Sequence, residues 1–413
     1  MRPHPFLLVC ICMGACGGSA PSGSVSVYAY QDYDTPAAGI DVVAAGTDGS
    51  FVASAKTGSD GKVTLPDVPA GGTLTLAWMD GTSRKLGTVF GVQPGDQLTI
   101  RTRGSDDVTF NRLAVTLPTY AGAQGYEIAD GCRRSMPAAA GAQLLDVLEW
   151  CVTPARTVRA VAYALGATGE RVAYATTGDV AVQPAATPPP QIAGTLSAWK
   201  TDLAGVGVNV RSLPGAVDFD LAFRRGGMRA AFVEKQHIVT GAAGYYDARI
   251  APGFYDEVIV AQSLGSSGKG VLVSRALPAG NAPVVIDLGA LAPTVDTVTV
   301  DGAGTARPTL RWRMDPWSAD LQVGSLAWQG GSWTFVAPPE LRDARVPELP
   351  AALSAYAPGA VVAPVLVGAV DHSHLASYDD ARTRLRETIL MAESERALVK
   401  DGTILFTAYI GHL

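Results

Sequence analysis

Three Asp-Gly pairs, at 48–49, 60–61 and 80–81, punctuate short runs in which apolar and polar residues alternate. Strict alternation over a few residues is the pattern of a strand with one buried face, because successive strand side chains point to opposite sides. Asp-Gly between two such runs supplies the left-handed backbone that a tight hairpin turn needs. Residues 24–30 (SVSVYAY) open the series, and 40–44, 62–65 and 73–78 continue it. A chain written this way folds into many short strands, so the expected class is all-β. Composition agrees: 46 Gly, 27 Pro, 47% hydrophobic and 17% charged residues make the chain too apolar and too weakly charged for intrinsic disorder. A net charge of −6 with no basic cluster argues against a nucleic-acid partner.

The first fifteen residues have the form of an export leader. Arg2 provides a positive start, residues 6–13 (FLLVCICM) an apolar stretch, and Met13-Gly14-Ala15 a small-residue site before Cys16. That stretch is far short of the about twenty residues needed to span a bilayer. The residues before Cys16, with Gly17-Gly18-Ser19 after it, resemble the lipobox of bacterial lipoproteins. The resemblance implies that residues 1–15 are removed and that Cys16 is acylated on its sulfur and on its new amino group. Because Gly17 rather than Asp follows, it also implies sorting to the outer membrane. Several acyl chains, at about 0.8 kcal/mol per buried CH₂, make a stable anchor. The alternative is an ordinary secretory leader in which Cys16 is incidental. With Cys10 and Cys12 lost and Cys16 lipidated, Cys132 and Cys151 remain as a pair that an oxidising compartment would join. The bridge would close a loop of about twenty residues, worth about 3 kcal/mol in chain-entropy terms. Two buried free thiols are the alternative.

Punctuation divides the rest into modules. A Gly/Ser/Pro tether covers 16–23. Residues 24–101 form a first module in which Ala38-Gly39-Ile40-Asp41-Val42, Thr57 with Asp60-Gly61-Lys62-Val63, and Val68-Pro69-Ala70-Gly71 resemble the carboxypeptidase-regulatory-like and Cna-B-like family, which implies a prealbumin-type sandwich. Residues 24–101 contain no asparagine, so the Lys–Asn isopeptide bond of many Cna-B domains cannot form there. Residues 102–182, with a hairpin across 166–170, resemble a fibronectin type III sandwich. Residues 183–191 (QPAATPPPQ) read as a stiff polyproline spacer. A third sandwich is expected over 192–292, where Ala251-Pro252-Gly253 echoes Pro69-Ala70-Gly71 as in a diverged repeat. A fourth covers 293–413 and contains four of the seven tryptophans, with one helix expected over 379–400. The whole reads as tandem prealbumin-like and immunoglobulin- or fibronectin-like β-sandwich modules.

Motifs for chemistry are sparse. The chain has no HExxH or HxxE zinc motif, and Gly265-Ser266-Ser267-Gly268-Lys269-Gly270 lacks both the Walker spacing and the setting of a nucleophile elbow. Asp218/Asp220 and Asp379/Asp380 read as solvated carboxylates. His372 and His374 follow Asp371 at alternate positions, so their rings share a strand face and are weak candidates for a metal; simple exposure or hydrogen bonding is the bland alternative. No cofactor is expected. If Gly330-Gly331 is a two-residue turn, Trp328 lies opposite Trp333. Exposed, the pair would be a platform for a sugar ring or an apolar partner; buried, it is core. The expected function is non-enzymatic, a structural or adhesive envelope scaffold held to the membrane by its lipid, with an envelope protein or glycan as partner. Sugar binding through the tryptophans, or an enzyme whose site is assembled from distant residues, are the alternatives.

Overall fold

The computed structural model describes the chain except residues 1–20, 32–34, 103–108, 131–133, 149–150, 154, 185, 212–216, 226–230, 239–242, 264–268, 279–281, 288–291, 385–400 and 412–413. The regular secondary structure of the described residues is almost entirely strand, and none of their helices is long and apolar enough to cross a membrane.

The first alternating run is strand Ser22–Tyr30, which turns Val25, Val27 and Ala29 inward. It lies between Lys62–Pro69 and, in parallel, Gln97–Arg101. This three-stranded sheet faces Phe51–Lys56, Asp41–Ala45, Gly72–Asp80 and Ser83–Val92 across a core that includes Leu65, Leu74, Leu76 and Val89. The Asp-Gly pairs at 48–49 and 80–81 close hairpins within the second sheet. The pair at 60–61 instead turns the chain from one sheet to the other. There Gly61 has φ +72°, and a Cβ would meet the Ala29 carbonyl oxygen at 2.4 Å.

The modules do not end where the sequence pattern suggests. Strand Gln191–Ala193 pairs in parallel with Thr109–Leu117 of the second module, and Pro190 accepts a hydrogen bond from the Arg112 amide at 2.8 Å. Trp199 donates from Nε1 to the Pro118 carbonyl at 3.1 Å and stacks on Tyr126. The expected spacer thus ends against the second sandwich, because an extended Pro-rich backbone still offers carbonyl acceptors to a sheet edge.

Twelve strands form one continuous sheet through the first, third and fourth modules. Their spatial order is Ala231–Ile238, Val217–Arg224, Glu257–Ser263, Lys269–Ala276, Thr403–Gly411, Val361–His372, Leu321–Trp328, Gly331–Ala337, Ser83–Val92, Gly72–Asp80, Asp41–Ala45 and Phe51–Lys56. Thr403–Gly411 joins the third module to the fourth, and a parallel ladder from Gly331–Ala337 to Ser83–Val92 joins the fourth to the first. Gly72–Asp80 is buried on both faces over residues 72–77, because Val43, Ala77 and Leu86 on its far side share a core with Leu310, Trp312, Trp333 and Phe335 of the fourth module. Two of the hydroxyls this buries are linked in one chain: Thr75 pairs with Thr88 at 2.9 Å, and Thr88 accepts from Trp333 Nε1 at 2.8 Å.

Charged pairs are buried both within a sheet and beside module contacts. In the third module Arg224 binds Glu257, whose Oε2 also accepts from Ser274 at 2.7 Å, with all three residues buried. Between the second and third modules Arg171 grips Glu127 with two bonds, at 2.9 and 2.7 Å, and reaches the Arg249 carbonyl at 3.0 Å. Its guanidinium lies 4.2 Å from the centre of the Tyr163 ring. Burial pushes the Tyr163 hydroxyl up to about 12, so it stays protonated while accepting a hydrogen bond from the Ala251 amide at 3.2 Å.

The fourth-module hairpin has a register different from the expected one. Trp328 lies opposite Gly331 and Leu326 opposite Trp333, so the turn is Gln329-Gly330, with Gly330 at φ +84°. Packing accounts for the shift: a Cβ on Gly331 would sit 2.5 Å from the Trp328 indole, so only glycine lets that ring lie across the paired strand. The C-terminal helix is Tyr378–Thr383; residues 385–400 of the expected helix lie outside the described residues. Gly331→Ala should lower stability by about 1–3 kcal/mol through overpacking, read as a lower urea midpoint with an unchanged slope.

Candidate functional site

At one end of the parallel ladder the chain leaves Ser83–Val92 through Gly91, which has φ +68°. A Cβ there would approach Pro338 at 3.3 Å and the Tyr378 ring at 3.4 Å, so the first and fourth modules pack closely here. The short helix Tyr378–Thr383, capped by Ser377, is bolted across this junction. Tyr378 donates its hydroxyl to the Phe90 carbonyl at 2.7 Å. Arg382, 3% exposed, donates to the Gly91 carbonyl at 2.9 Å and pairs with Asp96 at 2.8 Å and Asp379 at 2.7 Å.

Between this helix and the turn at 338–341 lies a groove of about 650 Å³. Phe90, Pro338, Leu341 and Tyr378 give it apolar walls, and Asp320, Glu340 and Asp379 line it with carboxylates. Thr73 also lines it; that residue is 3% exposed and its Oγ1 has no hydrogen-bond partner among the described residues. Asp320 accepts from the His372 amide at 2.7 Å. Burial holds its carboxyl above the usual range, and the nearby Asp371 and Asp380 add to that effect. The volume falls within the range of small-molecule sites.

The residues singled out from sequence lie elsewhere or lead elsewhere. Cys16 and Cys132 fall outside the described residues. Cys151 is fully buried in the second-module core and is disulfide-bonded. Trp328 and Trp333 do share a face, but both are buried, at 5% and 0% exposure, in the fourth-module core. They form no exposed platform, since the first-module strands and the Val295–Asp301 sheet enclose them. His372 is buried and His374 is exposed, with ring centres 6.1 Å apart. The His372 Nδ1 accepts from the His374 amide at 3.1 Å, which commits that nitrogen to the turn. Among the described residues no three His, Cys, Asp or Glu side chains group as metal ligands.

Sequence reasoning passed over Thr73, Tyr378 and Arg382. The available signal was local: Ser377 three residues before Asp380 is an N-cap spacing, and Arg382 lies one turn after Asp379.

No family model and no curated protein matches the chain. Solved structures that resemble it include the Bacillus anthracis TIE protein, at 10% identity and TM-score 0.18, covering 64% of this chain and 50% of that one. This chain thus spans half the length of that protein. The shaft pilin spaA from Lactobacillus rhamnosus GG is 9% identical with TM-score 0.17, covering 66% and 100% respectively. The FN1–FN3 domains of chicken CNTN1 are 11% identical with TM-score 0.15, covering 72% and 89%.

Burial also raises the Asp371 carboxyl above its usual range. The fold then favours the protonated form, so the charge opposes folding above the raised value and has no effect below the unfolded carboxylate range. Asp371→Asn should therefore raise the urea midpoint at pH 7 and leave it unchanged at pH 3, as parallel denaturation curves would reveal.

Proposed function

We propose that the chain is a non-enzymatic lipoprotein of the bacterial cell envelope, a structural or adhesive scaffold displayed from a lipid anchor at the outer membrane. The observation that carries this reading is the continuous twelve-stranded sheet. Hydrogen bonds along a sheet and shared cores on both of its faces resist relative motion of modules, as a display or support element requires. The partner is an envelope protein or glycan reached through loops or strand edges.

Placement of the first strand supports the anchor. Ser22–Tyr30 begins six residues after Cys16, and six extended residues reach only about 20 Å. The first module would thus stand against the membrane surface, with the third and fourth carried by the common sheet. Cys16→Ser should move the protein from the membrane to the soluble fraction; a variant that still fractionates with membranes would overturn the anchor.

Within the second module, the buried, oxidised state of Cys151 supports Cys132 as its partner. Protein exported to an oxidising compartment should show no thiol labelling at either cysteine. Its reduction should lower stability by about 3 kcal/mol, measured by denaturation with and without reductant.

A further inference from the structure

We propose that the groove between the first and fourth modules binds a primary alkylammonium group, the chemistry shared by a lysine side chain and a free diamine. The inference does not depend on the lipid anchor, because it rests on groove residues alone.

Charge is the first argument. Among the described residues, Asp320, Glu340 and Asp379 line the groove against a single guanidinium, Arg382, and that cation is already engaged by Asp96, Asp379 and the Gly91 carbonyl. The lining therefore carries excess negative charge in a partly desolvated space, which favours a cation and opposes an anion. The second argument is the orphaned hydroxyl. Thr73 is almost wholly buried, yet its Oγ1 finds no partner among the described residues. A buried polar atom left this way is costly, and an ammonium, with three N–H donors and no acceptor, would give it the bond it lacks. Shape is the third argument. Phe90 and Leu341 offer an apolar wall to a methylene stem while the charged end meets the carboxylates, the division of labour seen when lysine snorkels.

Calorimetric titration of the full chain tests this with cadaverine, Nα-acetyl-lysine amide, the neutral 1,5-pentanediol and the dianion glutarate. The two amines should bind one site and weaken as salt rises, while the diol and glutarate should not bind. The relative affinity of the two amines identifies the source: tighter cadaverine points to a free diamine, and tighter acetyl-lysine amide to a lysine side chain. Combining Asp320→Asn with Glu340→Gln should weaken the amines at least about tenfold. Thr73→Val should also weaken them while leaving the unfolding midpoint unchanged or higher, since it removes an unsatisfied hydroxyl at constant shape; that pairing separates a binding role from a structural one. The proposal is overturned if neither amine saturates by about 10 mM, if the diol binds as tightly as cadaverine, or if the carboxylate double variant binds unchanged.

Discussion

The parallel ladder between Ser83–Val92 and Gly331–Ala337 is the constraint on which the rest of the molecule depends. Without it the first module would keep a free edge at Ser83–Val92 and the fourth would keep one at Gly331–Ala337. With it, both strands become interior, and Gly72–Asp80 acquires a packed layer on each face. Interior strands cannot leave hydroxyls to water, which explains the chain of bonds from Thr75 through Thr88 to Trp333. One indole thus fills the fourth-module core and satisfies a hydroxyl of the first.

Buried ion pairs repeat this logic at the other contacts. Arg171 with Glu127 meets the backbone of the third module, Arg224 with Glu257 and Ser274 lies inside that module, and Arg382 with Asp96 fastens the helix Tyr378–Thr383 to the first. A buried pair adds little over a well-packed apolar one, but a single buried charge left alone costs several kcal/mol. Of these, Arg382 with Asp96 joins two modules, so undocking the helix from the first module would leave a buried charge unpaired. The strong interactions sit at element junctions, where generic apolar burial tolerates sliding.

Much of the fold was legible because period-two alternation is a local property. Val25, Val27 and Ala29 point inward as their spacing predicts, and two of the three Asp-Gly pairs close hairpins. What escaped was tertiary. The Asp60-Gly61 pair looks like the other two, yet it crosses between sheets, since a turn specifies a reversal and not the partner of the strand that follows. The one-residue shift at Gln329-Gly330 follows from the volume of Trp328 above Gly331, which turn preference alone does not contain. Thr73 and Thr75 read as the polar face of a half-exposed strand; only the fourth module, more than two hundred residues away in sequence, makes that face interior. The groove was invisible for the same reason, as its carboxylates, hydroxyl and aromatic walls come from separate parts of the chain.

The position of Thr403–Gly411 has a consequence for how the molecule comes into being. This strand fills the gap between Lys269–Ala276 and Val361–His372, although it is made long after the first of them. Until Thr403–Gly411 docks, Lys269–Ala276 lacks its neighbour on that side. An open edge of that kind is a template for pairing with other chains. Docking of Thr403–Gly411 therefore acts as a closing step of assembly, since it covers two strand edges at once.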